Sequence, residues 1–362
     1  MSVKILHAAD FHMDSAFDAL PEEKAAQRRQ EQRALLEKIV RLAEAESVQL
    51  VLLAGDLLDS GTSYYETQEV LLRTLSALRA QVVIAPGNHD YFCARSPYAF
   101  LEFPENVHIF KSPTLRSFAF PELGCTVWGA GFTGPLCPPL LEGFRAQGGG
   151  VQLMAIHGEL GGGSYNPLQE RQIAESGLDY LALGHVHAFS GFRTAGATTY
   201  AYPGCPEGRG FDETGEKGVI VGTVDKGRCD LRFVPLGGRE YRILSVDLSD
   251  AETASETVLA AVGDGFPRDI CRLVLTGGYD GELRPERIAE LISDRFFHVT
   301  VRDETHPRRD IWAGLEEETL RGIFLRLMRQ RYDEAGPEER EQILQAARYG
   351  LAAMDNREEW RP

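Results

Sequence analysis

Short apolar runs alternate with longer segments of helical periodicity along the N-terminal part of the chain. Residues 3–9, 48–54 and 82–85 are almost wholly apolar, which is typical of strands that are buried on both faces of a sheet. In residues 21–46 and 66–78 the apolar side chains recur every three or four positions, as they do along one face of a helix. This order of strands and helices predicts an α/β fold in which helices cover a sheet.

From residue 107 the helical periodicity fades and short strands take its place. A loop-rich connection is predicted over residues 133–150, because this stretch contains Pro135, Pro138, Pro139 and three consecutive glycines. Further strands are predicted over residues 107–131, 151–156, 179–183, 198–202, 218–224 and 229–234.

The Gly237-Gly238 pair indicates a boundary between domains. Beyond it, residues 242–303 show a β-α-β pattern, which predicts a small α+β domain. Two amphipathic helices are then predicted over residues 315–331 and 337–354. The first carries an apolar stripe of Leu320, Ile323, Phe324, Leu327 and Met328. We therefore expect a main domain over residues 1–236, a small cap domain over residues 240–305 and a helical segment over residues 312–362.

The composition is that of a globular protein, with 43% hydrophobic and 25% charged residues and a formal net charge of −16. So acidic a chain is not expected to offer a wide surface to nucleic acid, because Lys and Arg make the phosphate contacts. The six cysteines form no CxxC pair and the N-terminus shows no signal-peptide pattern, which favours a cytoplasmic protein with reduced thiols. No apolar run approaches the roughly 20 residues that a membrane span requires.

Side chains able to bind a metal ion follow five of the predicted strands. Because ligands of layered α/β proteins bind at the carboxyl ends of strands, we expect these side chains to converge on one site. A mixture of oxygen and imidazole donors suits Mn²⁺, Fe²⁺ or Zn²⁺ better than Ca²⁺ or Mg²⁺, and the set is large enough for two ions that share a carboxylate. The Asp-x-His and His-x-His spacings would place both side chains of each pair on one face of an extended strand. The candidates are Asp10, His12, Asp56, Asn88, His89, His157, His185 and His187.

Several polar residues allow a structural interpretation instead. The stretch Gly87-Asn88-His89-Asp90, taken alone, could be a polar turn. Asp90 is explained equally well as a helix cap and as the carboxylate that orients His89, and Asp59 could be a cap or a turn residue. The remaining histidines are expected to have structural or surface roles; they are His7, His108, His298 and His306.

The motifs Asp-x-His, Gly-Asp-x-x-Asp, Gly-Asn-His-Asp, His-Gly and Gly-His-x-His occur in this order between Asp10 and His187. Together they resemble the five motifs of the calcineurin-like metallophosphoesterase superfamily. The resemblance covers about residues 1–235 and implies a four-layer αββα sandwich with two mixed sheets. It also implies two sets of metal ligands, the first being Asp10, His12, Asp56 and His187, and the second Asp56, Asn88, His157 and His185.

Two metal ions in such a centre would activate a bridging hydroxide for attack on a phosphoester and would neutralise the phosphoryl oxygens. The resemblance implies that His89 contacts a phosphate oxygen or protonates the leaving oxygen. Asp90, which follows His89 in the motif, would then orient the His89 imidazole.

Within the superfamily the chain is most similar to DNA-repair exonucleases of the SbcD type, on residues 7–15 and 202–215. The second stretch is rich in glycine and carries Arg209, which is expected to contact a substrate phosphate. The similarity implies that the cap shapes a DNA cleft and that the C-terminal helices dock on the coiled coil of an ABC-type ATPase. Dimers are common in this branch, although no feature of the sequence specifies a homodimer. The chain departs from some members at Asp59, where they carry a His used in nuclease chemistry.

These observations predict a DNA phosphodiesterase, with Mn²⁺ as the leading candidate for its metal, that works with an ATPase. A phosphodiesterase or phosphatase acting on small nucleotides or phosphoproteins is the alternative, since it would share the five motifs but would not need the cap and the helical tail. The third hypothesis is an assembly subunit whose nuclease site is vestigial. The complete set of candidate ligands argues against it.

Overall fold

The computed structural model describes residues 2–61, 63–308 and 310–354. The chain divides into two compact units. The first comprises Met1–Arg242 and Arg268–Ile270, and the second comprises Ile243–Pro267 and Cys271–Pro362. The second unit contains most of the predicted cap and the predicted C-terminal helices.

The first unit contains twelve strands and four helices among its described residues. In chain order they are β1 (Val3–Ala8), α1 (Glu22–Ala45), β2 (Leu50–Leu53), α2 (Tyr65–Ala77), β3 (Gln81–Ile84), α3 (Pro97–Phe100), β4 (Val107–Ile109), β5 (Arg116–Phe120), β6 (Cys125–Gly129), β7 (Val151–His157), α4 (Glu170–Glu175), β8 (Tyr180–Gly184), β9 (Arg193–Ala195), β10 (Thr198–Ala201), β11 (Gly218–Asp225) and β12 (Arg228–Pro235).

One six-stranded sheet has the strand order β12-β11-β1-β2-β3-β4. Strands β1 to β4 run parallel to one another, whereas β11 is antiparallel to β1. One face packs against the apolar stripes of α1 and α2, which include Leu35, Ile39 and Leu71. The apolar runs read from the sequence are therefore strands buried on both faces, as predicted.

The second six-stranded sheet has the order β5-β6-β7-β8-β10-β9. Its inner face packs against the first sheet, where Val127 and Leu153 join a core with Ile5 and Leu52. Its outer face is covered by α4 and the loops that precede it, through residues such as Ile173. The unit is thus a four-layer αββα sandwich, and the predicted fold class is confirmed.

In the second unit, a three-stranded sheet is formed by β13 (Tyr241–Asp247), β14 (Phe266–Thr276) and β15 (Phe296–Asp303). Helices α5 (Ala254–Val262) and α6 (Pro285–Leu291) share a core with the sheet, and a short 3₁₀ helix, Ser293–Arg295, precedes β15. No helix among the described residues is both long enough and apolar enough to cross a bilayer.

Two further helices, α7 (Leu320–Glu334) and α8 (Pro337–Met354), follow the sheet. Helix α7 begins later than predicted, because the Thr319 side chain caps it by accepting a hydrogen bond from the Gly322 backbone N–H. Its predicted apolar stripe is divided between two environments. Phe324 is half-buried and lies against Gly350 of α8, whereas Leu320, Ile323 and Leu327 are exposed. Residues 355–362 of the predicted helical segment lie outside the described residues.

Candidate metal centre

Seven predicted metal ligands lie together beyond the carboxyl ends of β1, β2, β3, β7 and β8. The contacts between their donor atoms are short. Nε2 of His12 is 3.2 Å from Nε2 of His187, and Nε2 of His157 is 2.9 Å from the Asn88 side-chain oxygen and 3.2 Å from Nδ1 of His185. Two sheets therefore deliver donors to one place, as expected for strand ends in a layered α/β fold. The seven residues are Asp10, His12, Asp56, Asn88, His157, His185 and His187.

The ligand-bearing turns have an unusual backbone conformation. Asp10, His12, Asp56 and His185 have φ values of 56°, 45°, 52° and 109°, a left-handed region that residues other than glycine seldom occupy. Strain of this kind concentrates at functional sites, where the surrounding structure holds it in place. Here the backbone N–H groups of Asp10 and His12 donate to the carbonyl oxygens of Gly55 and Asp56 and so tie two turns together.

This conformation corrects one step of the sequence reasoning. The Asp-x-His pair was expected on one face of an extended strand, but β1 ends at Ala8. Asp10 and His12 both follow it with positive φ. The turn, and not the alternation of side chains along a strand, brings the two residues to the same site.

Gly87 leaves room for the carboxylate of Asp56. A Cβ atom at this position would lie 2.2 Å from Oδ1 of Asp56, so any larger residue would displace Asp56. Oδ2 of Asp56 lies 3.6 Å from Nε2 of His12 and 3.3 Å from Nε2 of His157. Asp56 therefore stands between the two groups of donors.

The donor set fits divalent cations. Three groups of side chains each bring their donor atoms within 4.8 Å of one another, and Asp56 belongs to two of them. The carboxylate of Asp10 is fully buried and accepts a hydrogen bond from the backbone N–H of His185. Buried carboxylates together with imidazoles are the ligands expected for a transition-metal dication. The three groups are Asp10, His12 and His187; His12, Asp56 and His89; and Asp10, Asp56 and His157.

The electrostatics of the centre are consistent with this fit. Burial works against a charged imidazole at His157, but the carboxylates of Asp56 and Asp10 outweigh it and raise its pKa to about 9. Burial and the nearby Asp56 charge raise the pKa of Asp10 to about 6, against the lowering effect of His157. Burial lowers the pKa of His12 to about 4, so this imidazole is neutral and ready to donate a lone pair. Metal ions displace protons from such ligands when they bind.

Three of the four inward-facing imidazoles are held on the side away from the other donors by a second partner. Nδ1 of His157 lies 3.0 Å from the carbonyl oxygen of Ala54. Nδ1 of His12 lies 3.0 Å from Oδ1 of Asp59, and Nδ1 of His187 lies 2.6 Å from Oε1 of Glu213. Such partners fix the tautomer and the ring orientation of a metal-binding histidine.

Glu213 was not singled out by sequence reasoning. It lies within the glycine-rich stretch 202–215, which was noted for Arg209. That stretch is the signal from which a position of Glu213 near the site could have been predicted. Asp59, for which a cap or turn role was open, instead contacts His12.

His89 lies at the mouth of the site, with 45% of its side chain exposed. Its Nδ1 is 3.1 Å from the carbonyl oxygen of Asp59, and its backbone N–H donates to Oδ1 of Asp56. Its ring centroid is 4.6 Å from that of His12. It is therefore the most accessible imidazole beside the buried donors.

Asp90 has different contacts from those predicted. One carboxylate oxygen accepts from the backbone N–H groups of Leu57 and Leu58 and from the hydroxyl of Tyr98, and the other accepts from the backbone N–H of Gly87. The imidazole of His89 is held by Asp59 instead. These contacts of Asp90 do not include the imidazole of His89, and its carboxylate joins two loops.

Arg209 also has contacts that its predicted role did not include. Its guanidinium donates to Oδ1 of Asp59 at 3.2 Å and to Oε1 of Glu213 at 2.7 Å. Only 18% of its side chain is exposed. The guanidinium thus bridges two carboxylates.

The model of the family described as calcineurin-like phosphoesterases matches residues 3–189, a range that includes all seven converging ligands. The chain belongs to the calcineurin-like phosphoesterase family. Phosphoester hydrolysis at a metal centre follows from this membership and from the donor set described above.

Two relatives extend this comparison. The chain is 29% identical over 343 residues to an uncharacterized metallophosphoesterase, YhaO, of Bacillus subtilis, covering 87% of this chain and 81% of YhaO. It is 33% identical over 110 residues to one subunit of the nuclease SbcCD of Rhodobacter capsulatus, covering 29% of this chain and 24% of that protein. The first similarity thus extends over most of the chain, and the second is local.

Proposed function

We propose that this protein is a two-metal phosphodiesterase that hydrolyses DNA phosphodiester bonds in the manner of an exonuclease. The observation that carries the proposal is the convergence of two buried carboxylates, an amide oxygen and four imidazoles from both sheets. The choice of DNA is supported by the local similarity to a nuclease subunit.

The proposed first ion is held by Asp10, His12, Asp56 and His187, and the proposed second ion by Asp56, Asn88, His157 and His185. The distances of Asp56 from His12 and from His157 support its assignment to both sets. Mn²⁺ is the proposed metal, with Fe²⁺ and Zn²⁺ as alternatives that the same donors accept. When bound, the two ions supply positive charge to the phosphoryl oxygens and lower the pKa of a water molecule.

His89 is the proposed proton donor to the leaving oxygen. Its Nδ1 faces the carbonyl oxygen of Asp59 and therefore carries a proton in the neutral ring. Nε2 is then the nitrogen that takes up and delivers the proton that moves. The exposed position of the ring allows a substrate to reach it.

The test offers purified protein and Mn²⁺ two kinds of substrate, namely linear single-stranded or duplex DNA, and bis-p-nitrophenyl phosphate with cyclic nucleotides. We expect nucleotides to be released from DNA and expect Asp56→Asn to abolish hydrolysis of every substrate. His108→Ala serves as a matched control, because His108 lies on β4 and contacts Gln81 outside the site. DNA left intact while the small esters are hydrolysed would refute the DNA proposal and leave the phosphoesterase centre standing.

A second candidate, a phosphodiesterase or phosphatase for small nucleotides or phosphoproteins, is favoured by the charge of the chain. The formal net charge is −16, and Arg209 beside the centre is occupied by Asp59 and Glu213. A small substrate needs few phosphate contacts from Lys and Arg beyond the metal ions, whereas a long DNA strand gains from many. The same assay separates the two candidates.

We propose a coiled-coil ABC-type ATPase as the partner, and the exposed residues of α7 as its docking surface. Leu320, Ile323 and Leu327 lie one helical turn apart and are 73%, 49% and 58% exposed. Similarity to a protein named as one subunit of a nuclease supports a multi-subunit assembly. Leu327→Asp should abolish co-elution with a purified coiled-coil ABC-type ATPase that binds the wild-type protein, whereas Gln330→Asp, a second exposed position of α7, should not. Retained co-elution of Leu327→Asp would refute this surface.

A further inference from the structure

Two carboxylates outside the proposed ligand set contact two of the proposed ligands from behind. Oδ1 of Asp59 lies 3.0 Å from Nδ1 of His12. Oε1 of Glu213 lies 2.6 Å from Nδ1 of His187. In both pairs the carboxylate meets the same ring nitrogen, and the two Nε2 atoms face each other at 3.2 Å.

These contacts select one tautomer. A carboxylate can only accept, so Nδ1 of each neutral ring must carry the proton and donate it. Nε2 then carries the lone pair, which is what a metal ion requires. The two carboxylates therefore prepare two imidazoles to donate lone pairs toward the same point.

Arg209 joins the two carboxylates. One terminal nitrogen of its guanidinium is 3.2 Å from Oδ1 of Asp59, and the other is 2.7 Å from Oε1 of Glu213. The backbone N–H of Arg209 also donates to Oε2 of Glu213 at 2.8 Å, so that Arg209 and Glu213 are linked by both backbone and side-chain hydrogen bonds. A planar guanidinium with several donors in fixed geometry suits this bridging role.

The bridge connects the two sheets of the sandwich. His12 follows β1 of the first sheet and His187 follows β8 of the second. Asp59 lies on the turn after β2, whereas Arg209 and Glu213 lie on the loop after β10. Only 4% of the Glu213 side chain is exposed, so its position is determined by these contacts rather than by solvent.

We propose that Asp59, Arg209 and Glu213 form a positioning unit that sets the ring orientation and the tautomer of His12 and His187 for the first metal ion. This inference rests on the proposed metal centre but does not depend on which phosphoester is the substrate. The three residues act through the two histidines and are not ligands or substrate contacts.

We predict that substitutions in the positioning unit lower the metal affinity of one site selectively. Removal of a partner behind a metal-binding histidine typically lowers affinity by about 10- to 100-fold. Glu213→Ala and Asp59→Ala should therefore weaken one of the two Mn²⁺ sites by such a factor and leave the other unchanged. Glu213→Gln keeps an oxygen that can accept from Nδ1 and should recover most of the affinity.

Calorimetric titration of the metal-free protein with Mn²⁺ measures both sites, and thermal unfolding followed by circular dichroism checks that each variant is folded. Asp212→Ala is the matched control, because this exposed acidic residue neighbours Glu213 in the chain. Arg209→Ala combined with Glu213→Ala should weaken the site less than the sum of the two single changes, since coupled residues act as one unit.

A folded Glu213→Ala protein that binds two Mn²⁺ ions with unchanged affinity and shows only a raised KM would overturn the proposal. Equal weakening of both sites would overturn it as well, because the proposed ligands that the unit contacts are His12 and His187, both of the first ion. Loss of one site in a protein that leaves DNA intact would support the positioning unit and refute only the proposed substrate. Wild-type protein that binds no Mn²⁺, Fe²⁺ or Zn²⁺ would refute the metal centre itself.

Discussion

The hydroxyl of Tyr98 donates a hydrogen bond of 2.5 Å to Oδ2 of Asp90. The same carboxylate accepts at 2.8 Å from the backbone N–H of Leu57 and at 2.8 Å from that of Gly87. Leu57 follows Asp56 in the chain and Gly87 precedes Asn88. Asp90 therefore joins two loops that carry proposed ligands, and Tyr98 donates to the same oxygen, Oδ2, as Leu57.

Replacement of Asp90 should destabilise the protein far more than replacement of Tyr98. Asp90→Ala leaves two or more buried backbone N–H groups unpaired, at about 1–3 kcal/mol each. Tyr98→Phe keeps the ring and removes one hydrogen bond, which costs about 1 kcal/mol. Urea unfolding of both variants measures the difference. Equal losses, or a stable Asp90→Ala protein with an altered pH profile of kcat, would instead point to the role of orienting His89.

Loss of His89 should depend on the leaving group. If His89 protonates the leaving oxygen, His89→Gln should lower kcat on DNA by about 10²- to 10⁴-fold. The effect on bis-p-nitrophenyl phosphate should be much smaller, because p-nitrophenolate leaves without a proton. Steady-state kinetics on the two substrates, with His108→Ala as control, provide the comparison. Equal losses on both would show that His89 acts on the phosphoryl oxygens and not on the leaving group.

The buried pair Arg28–Glu207 should contribute strongly to stability. Arg28 is fully buried and contacts Glu207 at 2.8 Å and the carbonyl oxygen of Gly208 at 3.1 Å. Removing one partner of a buried ion pair typically costs about 3–5 kcal/mol. We expect a loss at or below this range for Glu207, because Arg28 keeps a second carboxylate, that of Glu31, at 2.8 Å.

Guanidinium unfolding of Glu207→Ala should show that loss. Asp333→Ala, which breaks the exposed Arg329–Asp333 pair on α7, should cause no measurable change. Similar midpoints for wild type and Glu207→Ala would contradict the prediction.

Glu31 should make stability sensitive to acid. Burial opposes its charge, but hydrogen bonds from Arg239 and Arg28 outweigh burial and lower its pKa to about 2, from an ordinary value of 4.5. The unfolded chain therefore binds this proton at a pH where the folded chain does not. The stabilisation from Glu31 is complete above about pH 4.5 and is lost as the pH falls toward 2.

Glu31→Gln should accordingly flatten the decrease in unfolding free energy between pH 5 and pH 2. The measurement is urea unfolding of both proteins across this range in the presence of a chelator, so that metal binding does not contribute. A parallel decrease in the two proteins would mean that Glu31 does not supply the acid sensitivity.

Local patterns predicted much of the fold. Helix α1 was expected over residues 21–46 and is found at Glu22–Ala45, and the buried strand expected over residues 151–156 is β7. These elements follow from apolar periodicity within a short window, which is a local property. The short helix α3 was not predicted, because four residues carry too little periodicity.

The sequence by itself determined an α/β fold and the polar side chains at the strand ends, because strand periodicity and motif spacing are written along the chain, and the αββα class was what the resemblance to a family implied. Only the tertiary structure decided which partner holds each imidazole. Glu213 meets His187 from 26 positions away, and Asp59 meets His12 from 47. Turns with positive φ set the paths of the intervening loops, and spacing along the chain does not specify such paths. The same reason separates Asp90 from its neighbour His89, since a loop directs one into the core and the other toward solvent.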